Sequence, residues 1–256
     1  MIARRVTEAH LALVLLTRLP LPRLRDPVPM IGTAAWAFPL AGCVVGLIAA
    51  ATFLLALALN LPVPLAAGCA IAAQVLATGA LHEDGLADFA DGLWGGTTPQ
   101  RRLEIMRDSR IGSYGTIALI LGLGLRWQAL SALAAHPAIT CLALLATAMS
   151  SRAGASLLLA ALPAARSDGL GHSARNAGKA SALVAIALAI LPFLGLAAWA
   201  GPLVLSANLV AAGAVIFLVF RLAKKRLGGQ TGDVLGAAQQ LVEIAGLATI
   251  SALIVS

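Results

Sequence analysis

The sequence predicts an all-α, polytopic membrane protein that forms a single integral membrane domain over residues 1–256. Of its 256 residues, 60% are hydrophobic and only 11% are charged, whereas a soluble domain carries roughly 25% charged residues. So few charges cannot cover a water-facing surface. The apolar residues also fall into seven long segments, each close to the ~20 residues that a helix needs to cross a bilayer.

The seven predicted transmembrane helices set the topology. They are expected at residues 36–59, 65–81, 116–135, 139–162, 181–200, 203–220 and 238–255. The connections after the first, third and fifth carry no Lys or Arg, whereas the N-terminal segment and the other three connections hold sixteen of the eighteen basic residues. By the positive-inside rule, the N-terminus and the three long connections are cytoplasmic and the C-terminus lies on the far side.

The N-terminal segment, residues 1–30, is predicted to lie on the membrane surface. Arg4 and Arg5 precede a short apolar run that imitates a signal peptide, but Glu8 and Arg18 bracket that run and no small-residue cleavage site follows it. The run is too short to span a bilayer, so we expect an interfacial amphipathic helix in contact with lipid. Four prolines between residues 20 and 29 then prevent a helix from continuing.

The net charge of +7 does not indicate nucleic acid as a partner. The basic residues alternate with apolar segments instead of forming one patch, so anionic lipid or an anionic substrate is the expected partner. Cys43, Cys69 and Cys141 all lie inside apolar runs and are interpreted as small core residues. No second His or Cys follows at zinc-binding spacing, so a zinc site is not indicated.

Residues 82–115, predicted to be a cytoplasmic catalytic loop, hold six of the eleven acidic residues. Asp84, Asp88 and Asp91 are spaced i, i+4 and i+7, so their carboxylates share one face if the preceding helix continues through them. Because like charges on one face repel, a divalent cation would relieve them, and Mg²⁺ prefers such oxygen ligands together with substrate phosphates. The alternative is a solvated acidic face without a ligand.

The second half of this segment is predicted to form a short helix. Gly95 and Gly96 interrupt the chain, and Thr98-Pro99 has the pattern of an N-cap followed by a first-turn proline. The helix is expected to end at Gly112. Arginine binds phosphate bidentately, so the arginines of this stretch are candidates for substrate phosphate, with lipid headgroups as the alternative; Arg107, Asp108 and Arg110 are the ones placed near its C-terminal end.

The two other long connections add polar groups on the same side. The Gly-rich connection, residues 221–238, includes GGQTGD, whose Thr231 and Asp233 could take part in a phosphate cradle. The connection after residue 162 offers Asp168, His172, Arg175, Asn176 and Lys179.

Three charged residues, Arg126, Arg152 and Glu243, fall inside apolar segments, where charges are costly and usually functional or paired. Arg152 lies near the cytoplasmic end and is expected to point into the site. For Arg126 a functional role and a structural one, in which it snorkels or pairs inside the bundle, are equally consistent with the sequence. His82, just before the acidic residues, is a candidate ligand or hydrogen-bond partner.

Together these residues predict metal-assisted phosphoryl transfer at the cytoplasmic membrane surface, in which the protein positions groups and neutralises charge. A carboxylate not saturated by metal could accept the proton of an attacking hydroxyl. One alternative is a CDP-alcohol-type phosphotransferase, but no Ala-Arg follows Asp84-Gly85 as its motif requires. Another is a cation transporter, but the acids lie at one end of the spans and the sequence shows no pair of broken helices.

Five stretches of the sequence carry a family resemblance: TRLPLP (17–22), HEDGLADFADGL (82–93), RRLEIMRDSRIGSYG (101–115), SRAG (151–154) and LGGQTGDVLGA (227–237). Together they resemble the adenosylcobinamide-GDP ribazoletransferase family, also called cobalamin synthases or cobalamin-5′-phosphate synthases. The resemblance implies a multi-pass enzyme of the bacterial inner membrane with its active site facing the cytoplasm. It implies Mg²⁺-dependent transfer of adenosylcobinamide phosphate from adenosylcobinamide-GDP to α-ribazole or its 5′-phosphate, with release of GMP.

The resemblance also assigns residues. It implies that Asp84, Asp88, Asp91 and Asp108 are catalytic, the first three also as metal ligands, and that substrate phosphate or nucleotide is contacted by Arg110, Arg152, Thr231 and Asp233. His82 and Arg107 complete the predicted substrate-binding set. Association with other late enzymes of the cobalamin pathway is expected, and an oligomer is compatible with the sequence.

The sequence departs from the family pattern at two positions. Glu83 stands where the family usually has Leu, and Gln240 replaces the first Glu of a Glu-x-x-Glu pair whose second member is Glu243. The role of that pair is therefore open.

Overall fold

The computed structural model describes residues 2–24, 26–169, 173–174 and 177–255. Over these residues the chain is α-helical, and its one extended feature is an isolated bridge between Ala164 and Gln230. The helices are α1 Ile2–Leu16, α2 Ile31–Ala34 with a 3-10 turn Ala35–Ala37, α3 Phe38–Ala58, α4 Val63–Thr78, α5 Leu81–Gly95, α6 Pro99–Ile105, α7 Ser113–Leu133, α8 Pro137–Ala161, α9 Lys179–Ala200, α10 Pro202–Arg226 and α11 Gly232–Val255.

The number of helices long and apolar enough to cross a membrane confirms the polytopic prediction. Six qualify among the described residues: Ile31–Ala58, which joins α2 to α3, and α7, α8, α9, α10 and α11. The bent pair α4 and α5 provides a seventh if it counts as one crossing. Each of the seven predicted segments coincides with one of these elements.

The second predicted helix, residues 65–81, does not continue straight into the acidic residues but is followed by a bend between α4 and α5. The two helices meet at 87°, because Gly79 (φ 63°) and Ala80 (φ 57°) both adopt left-handed backbone. The Gly79 N–H bonds to the Leu76 carbonyl, and the Ala80 N–H bonds to the Val75 carbonyl at 2.9 Å. This Schellman motif ends α4, so α5 starts in a new direction. The sequence showed no broken span, but α4 and α5 together form one if they count as a single crossing, so that expectation was wrong.

Two segments predicted as loops are largely helical. Residues 82–115 contain α5 and α6, and α6 ends at Ile105, while Gly112 is the N-cap of α7. Thr98 does cap α6, since its hydroxyl accepts from the Arg101 N–H at 3.2 Å. In the segment 221–238, α10 continues to Arg226 and α11 begins at Gly232. The basic residues in the last turn of α10 stabilise its C-terminal end by their interaction with the helix dipole.

The N-terminal helix α1 has 15 residues and is not among the candidate spans; its position at the membrane interface stays a prediction. Its Glu8 is fully buried and accepts hydrogen bonds from Arg4, Arg5 and the Trp36 indole. The bond from Trp36 fastens α1 to the start of the first span, and α1 forms one wall of the cavity described below.

Helix α8 is the centre of the bundle. In an 18-residue apolar stretch of α8, 72% is buried inside the protein, whereas the corresponding share for α10 is 17%. Small residues allow this packing: a Cβ at Gly42 of α3 would lie 2.3 Å from the Ala148 carbonyl oxygen of α8. Arg152 of α8 is therefore held inside the protein and not at its lipid-facing surface.

Candidate active site

Two glycines bring α5 and α11 into backbone contact. A Cβ at Gly85 would lie 3.1 Å from Gly236 Cα and 3.2 Å from Asp233 Cα. These distances are shorter than ordinary van der Waals contact, so glycine at both positions favours this close approach of the two helices. The contact places Asp84, next to Gly85, and Asp233 of α11 on the wall of the same cavity.

The Gly-rich turn between α10 and α11 is fastened to the connection after α8. The Gln230 N–H donates to the Pro163 carbonyl at 2.8 Å, and the Ala165 N–H donates to the Gln230 carbonyl at 2.9 Å. A Cβ at Gly229 would lie 2.2 Å from the Pro163 oxygen, so this position must be glycine. The contact brings Arg166 to 3.5 Å from Asp233.

Thr231 bonds to the first turn of α11 and is not among the residues that line the cavity. Its hydroxyl accepts from the Val234 N–H at 3.3 Å and donates to Asp233 Oδ2 at 3.1 Å, and its side chain is buried. Thr231 therefore caps α11 and orients Asp233, where the sequence predicted direct contact with phosphate.

The acidic face of α5 forms as predicted, since α5 is helical through all three aspartates. Asp84 is exposed and Asp88 is half-buried. The carboxylates of Asp84, Asp91 and Asp233 and the guanidinium of Arg166 all lie close enough to act on Asp88 electrostatically. Three carboxylates and an arginine therefore influence the charge of this one acid, and two of these neighbours, Asp233 and Arg166, come from distant parts of the chain.

Asp91 has a different role from the predicted metal ligand. It is buried, and its two oxygens accept from the Gly112 N–H at 2.7 Å and the Gly115 N–H at 2.9 Å. A carboxylate at this position satisfies free N–H groups at the start of α7 and complements the helix dipole. Asp91 is thus a link between α5 and α7.

This link predicts a stability effect at Gly115. A Cβ there would lie 2.4 Å from Asp91 Oδ2 and 3.0 Å from the Ala87 carbonyl oxygen, so Gly115→Ala is expected to lower the free energy of unfolding by about 1–3 kcal/mol. Thermal or denaturant unfolding in detergent measures it. Gly124→Ala on the same helix is the control, since nothing lies within 4 Å of that Cβ; equal effects of the two variants would contradict the link.

The cavity between α1, α3, α5, α8 and α11 has an empty volume of about 720 Å³, part of it open to solvent. Its polar lining consists of His82, Asp84, Arg152 and Asp233, and its apolar lining includes Leu16, Phe38 and Leu159. The cavity therefore has an apolar body with ionised groups on one wall.

Arg152 lines this cavity and is 2% exposed. Its Nη1 donates to the Ala148 carbonyl at 2.9 Å, while its Nε has no partner among the described residues. A buried guanidinium with an unused donor is suited to an anionic or carbonyl group of a ligand.

The remaining predicted residues lie outside this cavity. Asp108 and Arg110 pair with each other, with Arg110 Nη2 at 2.7 Å from Asp108 Oδ2. The hydrogen bond from the Arg110 side chain lowers the pKa of Asp108 to about 2, so Asp108 stays ionised at neutral pH. Arg107 pairs with exposed Asp168 and lies near Arg166. His172, Arg175 and Asn176 lie outside the described residues.

The donor set fits Mg²⁺ that arrives with a phosphate-bearing substrate. Among the described residues, no group of three His, Cys, Asp or Glu side chains is arranged to hold a metal ion. Mg²⁺ is usually bound through one or two carboxylates plus phosphate oxygens and water. Asp84 and Asp233 on one cavity wall supply two such carboxylates.

Sequence reasoning missed Arg166 and the interior contacts of Glu83. Arg166 is one basic residue in a loop without a motif, and its partner Asp233 is distant in sequence. Glu83 pairs with Arg126, which also pairs with Glu243. Arg126 therefore pairs inside the bundle and does not snorkel to the membrane surface.

Comparison with known proteins identifies the family. A model of the family described as cobalamin-5-phosphate synthase matches residues 8–251. The chain is 45% identical over 240 residues to the adenosylcobinamide-GDP ribazoletransferase of Bradyrhizobium diazoefficiens, covering 93% of this chain and 91% of the relative. It is 46% identical over 260 residues to the protein of that name from Azorhizobium caulinodans, covering 96% and 95%. No solved structure matches the chain. The chain belongs to the cobalamin-5-phosphate synthase family.

Proposed function

We propose that this protein transfers the adenosylcobinamide-phosphate group of adenosylcobinamide-GDP to α-ribazole, or to its 5′-phosphate, and releases GMP. The relatives carry the name of this activity. The observation that carries the proposal is the contact between Gly85 and Gly236, because it sets Asp84 and Asp233 on one cavity with buried Arg152. Such a site combines carboxylates for a metal with guanidiniums for phosphate.

The proposed reaction is one displacement at phosphorus. A ribose hydroxyl oxygen of the acceptor forms a bond to the phosphorus on the cobinamide side, and the bond from that phosphorus to the oxygen that bridges to GMP breaks. The hydroxyl proton passes to a carboxylate. Asp88 is the proposed acceptor of this proton, since it is half-buried among three other carboxylates. The product is adenosylcobalamin or its 5′-phosphate.

Asp84 and Asp233 are the proposed Mg²⁺ ligands, and the ion would neutralise charge on the diphosphate. Arg152 and Arg166 are the proposed phosphate contacts. Both have a buried Nε without a partner among the described residues, so each can offer a donor to a phosphate oxygen without breaking an existing bond. Arg166, which no pattern in the loop after α8 had singled out, takes the role that the sequence predicted for Thr231.

The apolar part of the cavity is the proposed site for the flat aromatic base of α-ribazole. Its walls include Leu16, Phe38 and Leu159, and burying an aromatic ring against such side chains is favourable. The carboxylates at the polar end can accept hydrogen bonds from ribose hydroxyls, so one ligand can match both parts of the cavity.

This assignment predicts a change in acceptor affinity. Leu159→Trp would fill part of the cavity, so we expect the KM for α-ribazole to rise at least about tenfold while the KM for adenosylcobinamide-GDP stays within about threefold. Leu157→Trp is the matched control, because Leu157 is on the same helix but exposed. Equal acceptor KM values for the two variants would place the base elsewhere.

We further propose that the protein lies in the bacterial inner membrane with this site facing the cytoplasm. Arg102 of α6 donates both to the Leu93 carbonyl of the acidic helix α5 and to the Arg226 carbonyl at the basic end of α10, so these ends lie together, and clustered Lys and Arg mark cytoplasmic segments. Labelling of single cysteines in the α6–α7 connection of intact cells, compared with permeabilised cells, tests the orientation.

The activity is tested with purified protein in detergent or nanodiscs. Supplied with both substrates and Mg²⁺, it should release one GMP for each cobalamin formed, and chelation of the metal with EDTA should stop GMP release. Full GMP release in EDTA would remove the metal from the proposal. The absence of GMP release with either acceptor would contradict the proposed reaction itself.

A further inference from the structure

A group of four ionised side chains lies inside the helix bundle next to the cavity. Arg126 is 1% exposed and Glu243 is 1% exposed. Arg126 Nη1 lies 3.2 Å from Glu83 Oε1, and Arg126 Nη2 lies 3.0 Å from Glu243 Oε1. The charges of Glu83, Glu243 and Arg126 also act on Arg152. Two arginines and two glutamates therefore balance, as buried charges in a membrane protein must.

Amide side chains complete the contacts of Arg126. Arg126 Nη1 donates to Gln240 Oε1 at 2.9 Å, and Nη2 donates to Gln74 Oε1 at 2.6 Å. Gln240 in turn donates to Glu83 Oε1 at 3.0 Å. Arg126 thus joins α7 to α4, α5 and α11 at one point.

The contact to Glu83 lies at a sensitive place in α5. It is close to the corner at Gly79 and Ala80 that separates α5 from α4. Because the chain bends there by 87°, α4 does not continue into α5 and does not hold its N-terminal end in line. His82 and Asp84, on either side of Glu83, both line the cavity. A shift of Glu83 would therefore move both of these residues relative to Asp233.

We propose that Glu83, Arg126 and Glu243 are positioning residues for the transferase reaction, whose ion pairs hold α5 where Asp84 and Asp233 line one cavity. The essential element is a carboxylate at the meeting point of α5 and α11 with Arg126. Because the Arg126 Nη1 contacts both Glu83 and Gln240, either of these two positions can supply that carboxylate. The inference rests on the proposed function, since it uses turnover as a readout.

The test relocates the charge. Glu83→Gln removes the carboxylate but retains the size and the hydrogen-bonding capacity of the side chain, so we expect turnover at saturating substrates to fall about 10- to 100-fold from misplacement of Asp84. Hydrogen–deuterium exchange should become faster in residues 81–95 and remain unchanged in residues 137–161. Glu83→Gln combined with Gln240→Glu should regain turnover to within about threefold of wild type and restore slow exchange in α5.

The matched control is Glu83→Gln combined with Gln100→Glu. It has the same net charge, but Gln100 is exposed on α6 and makes no described contact with Arg126, so no recovery is expected. If Glu83→Gln does not fold, the comparison of the two double variants decides, because only the one with Glu at 240 should give active protein. Wild-type turnover in Glu83→Gln, or equal turnover in the two double variants, would overturn the proposal. A wild-type protein without transferase activity would instead refute the proposed function.

Discussion

Replacing Asp84 by alanine is expected to lower transferase turnover by about 10²- to 10⁴-fold. Asp84 is exposed on the wall of the cavity that Asp233 also lines, next to the close contact of Gly85 with Gly236. Its carboxylate makes none of the described side-chain hydrogen bonds or ion pairs, so the fold does not depend on it. The loss should therefore be seen in turnover, with the unfolding temperature close to that of wild type.

Glu104→Gln is the control for Asp84→Ala. Glu104 lies in the same acidic segment, but it is exposed and pairs with Arg101 within α6, and surface ion pairs contribute little. We expect turnover within about twofold of wild type for this variant. If Asp84→Ala released GMP at close to the wild-type rate, Asp84 would have no part in the mechanism, whatever the effect of Glu104→Gln.

The sequence was sufficient for the helices and for the acidic face because both depend on local patterns. A segment that crosses lipid must be long and apolar, so the spans could be located without knowing their neighbours. The spacing of Asp84, Asp88 and Asp91 likewise placed them on one face of a helix. The corner at Gly79 was also local, since Gly is the usual residue after a helix C-terminus, but the apolar residues around it concealed the signal.

The contacts between distant segments could not be derived in this way. Arg166 meets Asp233 because the chain at 163–165 is bonded to Gln230, and no spacing in either segment shows this. Asp91 belongs to the acidic pattern, yet its oxygens bind the start of α7. Glu83 and Gln240, the two departures from the family pattern, are far apart in sequence but are bonded to each other at 3.0 Å.

Replacing Gly229 by alanine is expected to lower turnover by about 10²-fold, although Gly229 is not among the residues that line the cavity. A Cβ at this position would lie 2.2 Å from the Pro163 carbonyl oxygen and 2.9 Å from the Ala165 nitrogen. Both of these are backbone atoms, so no side-chain rotation can relieve the clash. The Gly-rich turn must therefore move away from the connection after α8, and the bonds of Gln230 to Pro163 and Ala165 are lost.

The consequence reaches the site through two residues. Arg166 follows Ala165 directly, and Asp233 follows the turn, so separating the two segments removes the 3.5 Å approach of their side chains. Turnover should fall and the KM for adenosylcobinamide-GDP should rise, because Arg166 is a proposed phosphate contact. Gly178→Ala is the control, since its Cβ would have nothing within 4 Å and its φ of −88° suits alanine. Unchanged kinetics in Gly229→Ala would show that the docked turn is not needed to hold Arg166 and Asp233 together.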